Sequence, residues 1–246
     1  MPFTPAHPAL VLPLIRWRYV SATALIIGSM APDFEYFFKM SVNGSHGHTL
    51  WGALYFDLPV TFLLAWLFHA VVKRNAIHNL PGFLQRKFQD TLALDFGAYL
   101  KSHLAIFIVS ALAGTASHIL WDNFTHNDGY FAGIIPAYKT VFIPYDGVRY
   151  PLFYALQNIS SGVGLTIVLL YLLVKKPTDN AATTLYIPKV DYWALLAVIT
   201  LAVVALRFWI KSSDYHLGNA VVSTVSGLLV ALVLCGWINF KNTASS

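Results

Sequence analysis

The chain has 246 residues, of which 57% are hydrophobic and only 11% charged, and its formal net charge is +5. With a mean hydropathy of +0.60 it is far too apolar for an ordinary soluble domain, and its long apolar runs leave little sequence for a separate soluble one. The positive charge does not point to nucleic acid: the Lys and Arg residues are scattered at the ends of apolar segments, where they suit membrane topology and anionic headgroups.

The chain opens "MPFTPAHPALVLPLIRWRYV", which lacks a basic leader region and is interrupted by Pro2, Pro5, Pro8 and Pro13. It reads as a poor signal peptide, expected to stay in the mature protein. Two apolar stretches, 9–15 and 20–31, are too short to cross a bilayer and predict an interfacial or re-entrant hairpin of short helices. Long apolar segments follow at 49–72, 100–121, 152–174, 191–210 and 217–238, each near the ~20 residues that a bilayer crossing needs. The expected fold is therefore all-α: a single domain over 1–246, a polytopic membrane bundle of about five helices with the N-terminal hairpin attached.

Loop charges predict the orientation. Lys73, Arg74, Arg86 and Lys87 lie in 73–99, and Lys175, Lys176 and Lys189 lie in 175–190, so both loops are expected in the cytoplasm. The N-terminal 48 residues, the loop 122–151 and the turn 211–216 then face outward. The loop 122–151 is rich in Gly, Pro and aromatic residues and suits an ordered cover over a site at the membrane surface. The single cysteine, Cys235, lies in an apolar run, which excludes a disulfide framework and a cysteine-based zinc site. Any metal must be held by nitrogen and oxygen.

Such ligands gather at one predicted membrane face. They are His7 in "TPAHP", Asp33 in "MAPDFEYF", His46 and His48 in "SHGHTLWG", and His118, Asp122 and His126 in "HILWDNFTH". The last three are four residues apart, which stacks them on one side of a helix. Singly, a histidine near a helix end is commonly hydrogen-bonded and a Pro-Asp pair is commonly a turn or cap. An ionisable pair such as His118 and Asp122 beside a membrane span is different, because it costs a few kcal/mol unless paired or functional. Together the residues predict a site for zinc or a similar divalent metal. His69, His78 and His103 fall toward the opposite face and read as structural, and His216 sits in a short isolated turn.

The stretches "MPFTPAHPAL", "GSMAPDFEYF", "GHTLWGALYFDLPV" and "GTASHILWDNFTH" resemble an uncharacterised family of bacterial integral-membrane proteins, domain of unknown function 4184, across nearly the whole chain. That family in turn resembles membrane-bound metal-dependent hydrolases. The order His, Asp, His, then His-x-x-x-Asp is also similar to the zinc-dependent phospholipases C. That resemblance implies His7, Asp33, His48, His118 and Asp122 as ligands, with Asp122 bridging and His126 as a further one. The pair His46-Gly47-His48 departs from the hydrolases' spacing and leaves either histidine as the ligand. The phospholipases' later His-x-x-x-Glu is missing, since the only glutamate is Glu35.

The resulting expectation is a hydrolase of a phospholipid or lipid-linked phosphate in the bacterial inner membrane, with its site on the outer face. Asp33 or Glu35 would accept a proton from water, and Arg16, Lys139 and Arg149 would receive phosphate. The competing expectation is a non-catalytic membrane protein whose His/Asp site binds metal structurally or senses it. A transporter fits less well, because the polar residues concentrate at one face instead of stepping across the bundle.

Overall fold

The computed structural model describes residues 3–177 and 185–240. Among these residues five helices are long and apolar enough to cross a membrane: α1 (Ala53–His78), α2 (Phe96–Thr125), α3 (Leu152–Val174), α4 (Val190–Ile210) and α5 (Leu217–Gly236). This is the all-α membrane bundle expected from hydropathy. Helix ends differ from the apolar runs for a simple reason. Hydropathy reports apolar side chains, whereas a helix is held by its backbone bonds, so α1 continues through Lys73 and Arg74 to His78. It also contains two π-helical turns, Ala53–Asp57 and Phe68–Val72.

The chain forms two compact units. The first comprises Met1–Asp33, Ser45–Phe62 and Leu104–Val174; the second comprises Phe34–Gly44, Leu63–His103 and Lys175–Ser246. The division falls within α2 at His103, where φ −129° and ψ 27° interrupt the helical geometry.

In the first unit the proline-rich N-terminus forms successive short turns, Thr4–Ala6, Pro8–Val11 and Leu12–Leu14, each with proline in its first positions. Proline suits the start of a helical turn, where its missing N–H has no partner to lose, but cannot continue deep into a helix. A further short helix, Ala22–Gly28, follows, capped by Ser21. The predicted hairpin of short helices is thus a string of turns followed by one helix. Glycines let that helix lie against α2: a Cβ on Gly28 would sit 2.4 Å from the Ala111 carbonyl oxygen, and one on Gly114 2.4 Å from that of Leu25.

Part of the expected loop 122–151 is helical, because α2 runs on to Thr125. After two short helices, Tyr130–Ile134 and Ala137–Thr140, the chain makes an antiparallel hairpin, β1 (Phe142–Tyr145) and β2 (Val148–Pro151). Its turn residues, Asp146 and Gly147, have φ of 51° and 73°, the left-handed pair that an Asp-Gly hairpin turn requires.

In the second unit α4 and α5 pack around Tyr192, Leu196, Ala231 and Cys235. The free thiol of Cys235 is fully buried there and acts as a small core residue.

Candidate metal centre

The ligand set is built entirely from the first unit. His7 falls between two proline-started turns and is 1% exposed. Asp33 ends the short turn Ala31–Asp33 and is fully buried. His48 follows Gly47, which passes so close to the preceding segment that a Cβ there would lie 2.3 Å from the Pro32 carbonyl oxygen. Only glycine permits that approach, and it sets His48 beside Asp33. His118 and Asp122, one turn apart, project from the same face of α2.

The distances are those of atoms arranged around a common ion. His48 Nε2 and His118 Nε2 are 3.3 Å apart, and each is 3.4 Å from Asp122 Oδ2. Asp33 Oδ1 lies 3.4 Å from His48 Nε2 and 3.6 Å from His118 Nε2. Tetrahedral zinc with bonds of about 2.0–2.1 Å separates its ligand atoms by roughly 3.3–3.4 Å, the bond length multiplied by about 1.63. His7 reaches the other oxygen of Asp122, with Nε2 3.7 Å from Oδ1. Two groups, His7–His118–Asp122 and Asp33–His48–His118, each place three potential ligand atoms within 4.8 Å of one another.

Hydrogen bonds do not account for these atoms. Both ring nitrogens of His7, Asp33 Oδ1 and both carboxylate oxygens of Asp122 are buried without a hydrogen-bond partner. Orphaned buried polar atoms cost free energy, and five in one cluster need an explanation. The surroundings provide one. Ser29 O accepts from His118 Nδ1 at 2.8 Å, which in the neutral ring fixes the tautomer and turns the Nε2 lone pair toward the carboxylates. Thr4 Oγ1 donates to Asp33 Oδ2, leaving Oδ1 toward the two imidazoles. These are outer contacts of the kind that orient metal ligands.

The electrostatics favour positive charge beside the two carboxylates. Burial alone would raise the Asp33 carboxyl, yet the facing His118 and contacts from His48 hold it below the usual range. Burial opposes charge on His48, but Asp122 and Asp33 prevail and lift its pKa to about 9. His7 moves oppositely, to about 4, through burial and the adjacent His118 ring, against the pull of Asp122 and Asp33. That ring stacks on His7 with centroids 3.7 Å apart. The carboxylates thus favour positive charge between the rings, and imidazole with carboxylate is the donor set that suits zinc and similar divalent ions once a bound ion displaces the ring protons. His48 is the member closest to solvent, with 27% side-chain exposure against 0% for Asp33 and His118.

Other sequence-predicted residues take different positions. His46 does not enter either group; its Nδ1 lies 2.8 Å from the Tyr55 hydroxyl. Of the His-Gly-His pair, the structure brings His48 to the cluster. His126 stands at its edge, with Nδ1 3.7 Å from Asp122 Oδ1 and 3.0 Å from the Asp122 carbonyl oxygen. Glu35 is buried and pairs with Lys39 at 2.5 Å, one turn along its own helix. Arg16, Lys139 and Arg149 are exposed, the last with its guanidinium over the Phe142 ring. His69, His78 and His103 stack on Phe96, Tyr186 and Tyr99. His216 caps α5 through Asn219 N. Sequence reasoning did not single out Thr4 or Ser29. Thr4 stands three residues before His7, a one-turn spacing that carries a signal, whereas the Ser29 carbonyl has no side-chain signature.

Five bilayer-length helices and a buried His/Asp cluster define an integral membrane protein with a candidate metal centre. The chain belongs to the family described as domain of unknown function (DUF4184), whose pattern matches residues 1–237. No curated protein and no solved structure matches it.

Proposed function

We propose that this protein is a metal-dependent hydrolase acting on a phospholipid or lipid-linked phosphate at the membrane surface. The observation behind this reading is the convergence of His48, His118, Asp33 and Asp122 at separations of 3.3–3.6 Å, with Asp33 Oδ1 and both carboxylate oxygens of Asp122 buried without a hydrogen-bond partner. These residues would hold a divalent ion, zinc or manganese and one or two in number, which would supply a water of lowered pKa and polarise a phosphoryl oxygen. His7 is a further ligand through Asp122, and His126 steadies that carboxylate from the rim. The partly exposed side of His48 is the approach for water and substrate. Asp33 is the proton acceptor we favour, because Glu35 is engaged by Lys39. Arg16, Lys139 and Arg149 are cationic groups available to a phosphate on the same unit. We place the site on the outer face of a bacterial inner membrane; the distribution of Lys and Arg in the loops supports the outward orientation.

A second reading, a structural or sensing metal site without catalysis, is favoured by the depth of His7, Asp33 and His118, each at most 1% exposed. A closed coordination shell would leave no position for water.

Elemental analysis of detergent-purified protein tests the first claim, followed by assays on phospholipids and lipid phosphates. The expected result is stoichiometric transition metal and hydrolysis, both abolished in Asp122→Ala. Wild-type protein without metal after reconstitution would sink both readings. Metal without turnover on any lipid phosphate would leave the second.

A further inference from the structure

Beside the metal centre the first unit carries an apolar groove of about 520 Å³, within the range of ligand-binding clefts. One wall is α2, through Leu120, Trp121 and Phe124; the other is α3, through Leu156, Ile159 and Val163, spaced to share one helical face. The aliphatic hydroxyls of Thr125 and Ser160 in the lining do not make it polar. Thr125 Oγ1 donates to the Trp121 carbonyl and Ser160 Oγ to the Gln157 carbonyl, at 3.3 and 3.1 Å, so each is satisfied by its own helix. The groove opens on the outer surface of two bilayer-length helices, where Leu120, Ile159 and Val163 are 52, 61 and 52% exposed. Both helices are long and apolar enough to cross a bilayer, so the open side of the groove is suited to face lipid chains.

Trp121 separates groove from centre. Its indole lines the groove and lies 5.4 Å, centroid to centroid, from the His7 ring, and it precedes Asp122 in sequence. Gly164 makes room for it on α3: a Cβ there would stand 3.1 Å from the Trp121 ring.

We infer that this groove holds an acyl chain of the lipid whose headgroup reaches the metal centre, an inference that rests on the function proposed above. Burying the methylenes of such a chain is favourable relative to water, but the surrounding bilayer offers the same. The groove therefore positions the lipid more than it captures it, and the indole wall sets the distance between tail and centre.

The test places the protein in phosphatidylcholine vesicles doped with a phosphatidylethanolamine carrying a diazirine at the end of one acyl chain. After irradiation, the label is expected to concentrate on peptides containing Leu120–Phe124 and Leu156–Val163. Val163→Trp fills the groove and should reduce that label to the level of the other spans, with Leu156→Trp as a second variant if the first is unstable. Both should keep wild-type metal content, whereas Asp122→Ala should lose metal and keep the label. Label spread evenly over all spans, or unchanged in both filled-groove variants, overturns the inference while leaving the metal reading intact. A wild-type protein labelled in the groove but free of metal overturns the function and supports chain binding alone. Cross-linking of the groove to a second copy of this chain overturns the lipid as its occupant.

Discussion

Both units bury polar side chains, but they satisfy them differently. In the second unit, Gln85 Nε2 donates to the carbonyls of His78, Leu80 and Tyr186, while its Oε1 accepts from Tyr186 N. Asn79 accepts from Lys189 N and donates to the Asn75 carbonyl; Lys73 donates to the carbonyls of Thr91 and Leu94. These groups tie backbone segments together and have a structural explanation. In the first unit, His7 and Asp122 are as deeply buried, yet their nitrogens and oxygens converge on one another without donors to match. Buried polarity by itself therefore does not mark a functional site. Unmatched and convergent polarity does.

Exchanging damage between the two units gives the largest contrast. His118→Ala removes a ligand and the ring stacked on His7, and metal affinity should fall by more than the roughly 10–100-fold typical of losing an outer contact. Chelator should then lower the thermal midpoint of wild type and leave the variant unmoved, because a ligand stabilises only the state that binds it. Gln85→Ala should do the reverse, destabilising by about 2–3 kcal/mol through orphaned backbone groups, with metal content unchanged. Metal retained by His118→Ala, or lost from Gln85→Ala alongside normal stability, would erase the distinction.

Gly47→Ala sharpens it within the first unit. No ligand is removed, but the added methyl meets the Pro32 carbonyl oxygen at 2.3 Å and must push the His48 segment away from Asp33. Metal affinity should drop about 10–100-fold, the scale of a displaced supporting contact. Isothermal titration of chelated protein with zinc measures it. Unaltered affinity would mean that His48 is not a ligand.

How much of this was legible follows from where the information resides. The five helices were readable because each must be long and apolar in itself. His118 and Asp122 were readable because one helix carries both at four-residue spacing. His46 and His48 were not separable, since the choice depends on Gly47 meeting Pro32, a contact between segments that periodicity does not encode. Glu35 was attractive beside Asp33 in sequence, but residues two apart do not share a helical face, and Lys39 at four residues does. The hairpin was not read from the sequence: Asp146-Gly147 is its one local signal, its strands lack a clean alternation, and most of their residues are exposed.

Thr4 offers the smallest expected effect and the most specific one. Its hydroxyl donates to Asp33 Oδ2, a contact to a charged acceptor in a fully buried position. Thr4→Val keeps the shape and removes the donor, so Asp33 loses the group that holds its other oxygen toward His48 and His118. Hydrogen bonds to charged groups contribute about 1.5–3 kcal/mol, and part of that loss should appear as weaker metal binding, on the order of tenfold. Thr4→Ser restores the donor without the methyl and should recover most of the affinity. If Thr4→Val lowers stability equally with and without metal, and leaves affinity where it was, the hydroxyl serves the fold alone. In that case Asp33 resembles the satisfied amides of the second unit more than the ligands around it.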